Sequence, residues 1–279
     1  MHGQVSSSLM AIEYTPLSIH NLTANDSFES VRFSVSHRSH CKTVRLLKEH
    51  TLIEGWRLDL FDLLPSELWG LARVLSQRYG RLNEVAVTGS MWEIYGTACP
   101  EALLQSRSVI THVAMRCKLS IATVQTETCN SDGNVLFRAK DTLLLIHDLT
   151  LPFYHERVHK DPNRRSRRLL FHRKQCVYFR HTWDPALWIN NVHTDDFAQR
   201  CGYERALPEF IMYMDWVWRA VVEVVPDRVL GGLRLTLQRI LPLYLGEIID
   251  VLVYEEEDHF VIRFLRNDEV RVIAEAFLL

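Results

Sequence analysis

The sequence lacks a charge excess of either sign: 32 Lys and Arg stand against 34 Asp and Glu, a net charge of -2. Bulk charge therefore gives nucleic-acid binding no support. No apolar run reaches the roughly 20 residues that a membrane-spanning helix needs. The first twenty residues lack the charged start and apolar stretch of a secretory leader, so a soluble, cytoplasmic protein is expected. The six cysteines (Cys41, Cys99, Cys117, Cys129, Cys176, Cys201) are scattered and form no C-x-x-C pair. That excludes a thiolate metal motif and points away from a disulfide framework, toward a reducing compartment. None of the 13 histidines is spaced as a metal ligand. The phosphate-binding loop, the dinucleotide fingerprint, the serine nucleophile elbow and the H-E-x-x-H zinc motif are all missing. Their absence removes most nucleotide-binding, α/β-hydrolase and zinc-protease readings.

What is present is ordinary globular material, 47% hydrophobic and 24% charged, enough apolar residues to build a core. Residues 1–30 are rich in Ser, Thr and Asn and read as an irregular lead-in. Residues 31–54 show no clear period. From Pro65 to Tyr79, Leu68, Leu71, Val74 and Leu75 recur at helical spacing, with Ser66 placed to cap the start and Gly80 to end it. Residues 109–128 are β-branched and partly alternating. A turn at Asp132–Gly133 follows, and a further strand-like run begins at Asn134. One helix followed by long antiparallel strands predicts an α+β fold, not the alternation of a parallel sheet.

The order then repeats. Residues 151–174 read as a basic connector containing Arg157, Lys160, Arg164, Arg165, Arg167 and Arg168. Cys176–Arg180 predicts a short strand, and a helical stretch begins at His193. Residues 207–225 predict a long helix that is apolar all round, as a helix enclosed by a sheet would be. Four strand-like runs follow, with turns at Pro242–Gly246, Glu256–His259 and Asn267–Asp268. The organisation expected is thus two halves, 31–150 and 175–279, each a helix wrapped by an antiparallel sheet.

One segment carries a family resemblance. HTWDPALWINNVHTDDFAQRCGY (181–203) resembles the leading signature of MaoC-type hotdog hydratases, with Asn190, His193, Asp195, Ala198 and Gly202 in register. Downstream, Pro242, Gly246 and Glu247 resemble the family's second signature, where a strand ends at a proline and a Gly-acid turn opens the next. The resemblance covers residues 175–279. The first half is similar in element order only, as a degenerate second hotdog. It implies a double hotdog in which catalysis stays in one half. It implies chemistry on an acyl thioester of coenzyme A or an acyl carrier protein, with the thiol carrier entering as substrate and no separate cofactor. Hydration or dehydration is the implied reaction. A tailoring step of polyketide or other secondary metabolism is one setting for it, and a monomer or a homodimer of double-hotdog units is expected.

The chemistry needs a proton moved at the α or β carbon and a charge-stabilised thioester oxygen. His193 is the expected base or acid, or else a polar residue opening a helix. Asn190 positions water or the thioester carbonyl, or caps a turn. Asp215 lies mid-helix, where an ionised carboxylate is costly; it resembles the helix aspartate of polyketide-type dehydratases. Gly202, Glu209, Tyr213, Arg167 and Arg168 are the expected substrate contacts, the arginines toward phosphates. Glu209, just after Pro208, is expected in the first helical turn, solvated or capping. The resemblance departs at one place: the family's catalytic aspartate falls at Trp188, while Asp184 lies four residues further back. That departure keeps thioester hydrolysis, a repurposed cyclase or isomerase, and a non-catalytic acyl-binding protein open beside the hydro-lyase reading.

Overall fold

The computed structural model describes residues 23–28, 30–49, 62–71, 85–116, 119–146, 168–178, 192–226 and 232–279. The elements in chain order are β1 (Val31–Phe33), α1 (His37–Glu49), α2 (Pro65–Leu68), β2 (Val85–Ile94), β3 (Leu104–Arg116), β4 (Leu119–Asn130) and β5 (Val135–Ile146). They continue with β6 (Arg168–Cys176), α3 (Asp195–Arg200), α4 (Phe210–Val224), β7 (Leu233–Ile240), β8 (Ile248–Glu255), β9 (Phe260–Arg266) and β10 (Glu269–Leu278).

The strands form one sheet in the order β1-β3-β4-β5-β2-β7-β10-β9-β8-β6. Read inward from either edge, the two halves repeat one pattern. The strand before the central helix takes the edge, and the strand after it takes the middle of the sheet. β2 and β7 pair antiparallel there, from Ser90 opposite Leu237 to Ile94 opposite Leu233. Arg234 on β7 reaches Glu93 on β2 at 2.7 Å across this seam. The repeated order expected from the sequence is therefore an α+β double hotdog on one continuous sheet.

The hairpins follow turn chemistry. Asn267 and Asp268 both take positive φ (49° and 64°) between β9 and β10, a conformation these two side chains tolerate and that suits the twist of a tight hairpin. The 109–128 stretch divides into β3 and β4, with Arg116 opposite Leu119.

The structure corrects three local expectations. β6 begins at Arg168, inside the expected connector, and ends at Cys176. Its inward positions Arg173 and Gln175 are polar, so no apolar alternation marked it as a strand. α4 begins at Phe210, after Glu209 in extended backbone (φ -61°, ψ 144°). Ser66 does not cap α2: the helix starts at Pro65 after Leu64, and Ser66 lies in its first turn. The unassigned stretch after Val31 holds the thirteen-residue α1. The later part of the helix expected over 65–79 lies outside the described residues. So do Trp188, Asn190, Asp184 and Arg167. Among the described residues no helix is long and apolar enough to cross a membrane.

The core lies between the central helices and the inner face of the sheet. In the C-terminal half Trp216 is fully buried on α4, with the rings of Tyr213, Tyr178 and Phe264 at 5.6, 5.8 and 6.2 Å. In the N-terminal half Trp92 meets Phe137 edge-on at 5.1 Å and Trp69 at 6.2 Å. Gly70 explains a close approach there: a Cβ at that position would stand 2.3 Å from Cβ of Ser106 on β3.

Candidate active site

Signature residues 192–209 fold into a compact loop before α4. The N–H of Leu207 donates to the carbonyl of Val192 at 2.9 Å, and the N–H of Ala206 donates to Oδ1 of Asp195 at 2.7 Å. Within this loop Nδ1 of His193 lies 2.8 Å from the carbonyl oxygen of Leu207. A carbonyl can only accept, so the ring proton sits on Nδ1, and Nε2 is the basic nitrogen of neutral His193. The imidazole is half-buried. Asp195 and Asp196 occupy the first turn of α3, where the positive end of the helix dipole favours them. Gly202 closes α3 with φ of 90°. The N–H of Tyr203 returns to the carbonyl of Ala198 at 3.0 Å, a helix end that needs this left-handed glycine.

The second signature meets the first in space. Gly246 donates its N–H to the carbonyl of Val177 at 2.7 Å, and Leu245 donates to the carbonyl of Ala206 at 3.1 Å. Glu247 holds Arg205 at 3.0 Å and Arg266 at 2.9 Å, while its other oxygen accepts the N–H of Tyr244 at 3.0 Å. Two stretches some forty residues apart thus brace one corner, at the start of α4. Glu247 acts there as a structural anchor.

The remaining expected residues fall in different places. Glu209 is 2% exposed at the cap position of α4 and makes no side-chain cap bond. It is therefore buried, not solvated, and its side chain does not cap the helix. Tyr213 is buried; its hydroxyl accepts the N–H of Leu243 at 3.4 Å, and burial raises its phenol well above the ordinary range. It sits in the aromatic core around Trp216. Arg168 is exposed on β6 and pairs with Glu255 at 3.1 Å.

Asp215 is fully buried and joins the two halves. Its Oδ2 accepts the hydroxyl of Ser66 at 2.6 Å, and its Oδ1 accepts the Ser66 N–H at 3.2 Å. The carboxylate of one central helix is thereby held by the first turn of the other. Sequence reasoning missed Ser66 in this role, since 149 positions separate the partners.

It also missed a polar network inside the N-terminal half. His40 on α1 is fully buried with Nδ1 2.7 Å from Glu67, whose carboxylate also accepts the N–H of Leu64 at 2.9 Å. Asp141 is fully buried on β5 and accepts the hydroxyl of Ser90 and, at 2.8 Å, the indole N–H of Trp69. Burial pushes its carboxyl up to about 6, against the pull of Ser90, Trp69 and Trp92. Thr128 donates to the carbonyl of Leu68 at 2.8 Å and bonds Ser106. The only sequence signal was Ser and Thr at alternate positions of strands, which also fits an exposed face.

No protein-family model matches the chain, and no curated protein matches it in sequence. Solved structures do. A MaoC-like dehydratase from Phytophthora capsici superposes with a TM-score of 0.65 at 13% identity, covering 94% of this chain and 98% of that one. HtdX of Mycobacterium tuberculosis gives 0.62 at 11% identity, over 90% and 100%. A conserved hypothetical protein of Mycobacterium tuberculosis, described as having a double hotdog fold, gives 0.58 at 10% identity, over 93% and 97%. At such identities the likeness is one of fold. In topology and in the span of the match, this chain has the double-hotdog fold seen in solved MaoC-like dehydratases.

Proposed function

We propose that the protein is an acyl-thioester hydro-lyase, interconverting a 3-hydroxyacyl and an enoyl thioester carried on coenzyme A or an acyl carrier protein. The observation that carries the reading is His193, oriented through Nδ1 by Leu207 so that Nε2 is basic at the start of α4. In the dehydration direction Nε2 takes the proton from the α carbon, and the hydroxyl leaves the β carbon. The imidazolium returns its proton to that hydroxyl, which departs as water, and the enoyl thioester remains. Hydration runs the same steps backward. Asn190 and Gly202 flank the histidine in sequence and complete the signature. In this reading Asp215 ties the two halves together at Ser66 and does not move protons. A tailoring step in secondary metabolism is the setting we infer for a chain so divergent.

Thioester hydrolysis is the second reading, because Trp188 stands where the family's aspartate would share the proton transfer. Mass spectrometry of the protein incubated with saturated, enoyl and 3-hydroxyacyl thioesters separates the two. Gain or loss of water supports the hydro-lyase, release of free acid the hydrolase, and no change a binding protein. His193→Ala is expected to lower turnover about 100-fold or more, the usual worth of a positioned acid-base group. Full turnover by that variant would remove His193 from the mechanism.

A further inference from the structure

Alternate residues of β2, β3, β4 and β5 face away from the core, since Trp92, Ser108, Val124 and Phe137 between them are buried. Register sets five of the outward residues in one row across the sheet: Arg107, Glu127, Arg138, Glu93 and, over the seam on β7, Arg234. The row alternates in sign. Glu127 bonds Arg107 at 2.7 Å and Arg138 at 2.8 Å, and Glu93 bonds Arg234 at 2.7 Å. The hydroxyl of Tyr95 donates to Glu93 at 2.5 Å, and the Arg138 guanidinium lies 5.5 Å from the centre of the Tyr95 ring.

Two residues along each strand, the next row is Val109, Gln125, Lys140, Met91 and Thr236. The two rows border an open cavity of about 320 Å³, with Arg107, Arg138, Lys140 and Gln125 around it and Met91 and Val109 as its apolar part. Among the described residues the Lys140 ammonium has no hydrogen-bond or ion-pair partner. Arg107, Arg138, Arg234 and Lys140 thus meet only two carboxylates, a surplus of two positive charges.

Exposed pairs of this kind contribute little to stability. They do hold the arginines at set positions, with donors left over, since a guanidinium has five N–H groups. A phosphate monoester carries roughly two negative charges at neutral pH and three acceptor oxygens, which match the surplus. Arg and Lys both bind such a group. A carboxylate carries half that charge. Met91 and Val109 offer van der Waals contact to an apolar body beside it. We propose that this groove on the outer face of the N-terminal half binds a soluble phosphate monoester of a small organic molecule. Lys140, Arg107 and Arg138 hold the phosphate, and the apolar body lies on Met91 and Val109. The groove is on the side of the sheet turned away from the core, and the proposal stands independently of the acyl-thioester reading.

Calorimetric titration of the full chain tests this with phenyl phosphate, inorganic phosphate, benzoate and vesicles containing phosphatidate. Phenyl phosphate is expected to bind about tenfold more tightly than benzoate, the worth of one charge-assisted hydrogen bond. It is also expected to bind more tightly than inorganic phosphate, which lacks the apolar body. Lys140→Met is expected to weaken phenyl phosphate about tenfold. Lys174→Met removes the same charge from β6, at the far edge of the sheet, and is expected to leave binding unchanged. No binding of phenyl phosphate overturns the proposal, as does benzoate or inorganic phosphate bound as tightly. Unchanged binding by Lys140→Met overturns it too. Equal weakening by both lysine variants does the same, because the attraction is then one of bulk charge. Vesicles bound through Lys140 when phenyl phosphate is not would overturn it in favour of a membrane surface. Should Lys140→Met fail to fold, Arg107→Gln carries the same expected weakening and the same overturning result.

Discussion

The two halves share one topology and fill it with different chemistry. In the C-terminal half the inner sheet face is Leu233, Leu235, Val251, Val253, Ile262 and Phe264, closed by a helix buried on nearly all sides. In the N-terminal half the same face interleaves Ser90, Ser106, Ser108, Thr126, Thr128 and Asp141 with Trp92, Ile110, Val124 and Phe137, all buried. The polar half is consistent with a packed interior because its groups satisfy one another, as Ser108 and Thr126 do at 2.8 Å. Threonine also keeps the β-branched shape that strands prefer. The difference teaches that the hotdog frame specifies where side chains point and leaves their polarity open. Buried charged residues of the C-terminal half, Arg173, Asp215 and Arg219 among them, therefore stand out against its apolar sheet face, whereas Asp141 is held by the Ser90 hydroxyl and the Trp69 indole.

The largest effect that would sharpen this contrast is loss of the aromatic anchor. Trp216→Ala is expected to cost about 3–5 kcal/mol, the range for emptying a buried aromatic site, read by urea denaturation. A cost below about 1 kcal/mol would mean that the C-terminal core is not organised around α4.

Asp141 gives the next largest effect, as a function of pH. Its folded pKa of about 6 lies above the ordinary 3.8, so the neutral form favours the fold. Stability is then greatest below the ordinary value and falls as pH rises through about 6, by on the order of 3 kcal/mol. Tm measured from pH 4 to 7 should show this decline, and Asp141→Asn should flatten it. The same slope in both proteins would place the titration elsewhere.

The joint between halves comes third. A double-mutant cycle of Ser66→Ala and Asp215→Asn is expected to show a coupling of about 1.5–3 kcal/mol, as for a buried hydrogen bond to a charged group. Additive single effects would mean that the halves are held together without this contact. Gly70→Ala, which drives a methyl into Ser106, should destabilise the N-terminal half by about 1–3 kcal/mol. The smallest effect is expected at the surface: Arg168→Ala should change stability by less than about 1 kcal/mol, since its pair with Glu255 is solvated.

Much of the frame was legible in the residues. The turn at Asn267–Asp268, the strands β7 to β10 and the long apolar run of α4 are local patterns, legible from neighbouring residues. The two signatures were legible too, though their joining through Arg205 and Glu247 was not. β6 escaped notice because its inward residues are Arg173 and Gln175, where the rule of alternating polarity expects apolar side chains. α1 escaped because it is polar overall, and its buried side carries His40 and Thr43 beside Val44, so few apolar residues mark it. For the candidate site, His193 was singled out from its register, but its orientation by Leu207 depends on how a fourteen-residue loop closes.

By itself, then, the sequence determined α4 and the strands that follow it, the repeated helix-then-sheet arrangement and the register of the signature that holds the histidine, because each is written in neighbouring residues. Only the tertiary structure decided that Asp215 answers Ser66, that Asp141 is enclosed by Trp69 and Ser90, and that Arg173 and Arg219 share one interior. Those facts join residues distant along the chain. A charged residue in a one-dimensional pattern reads as surface, and only the folded sheet shows which of them it has taken out of water.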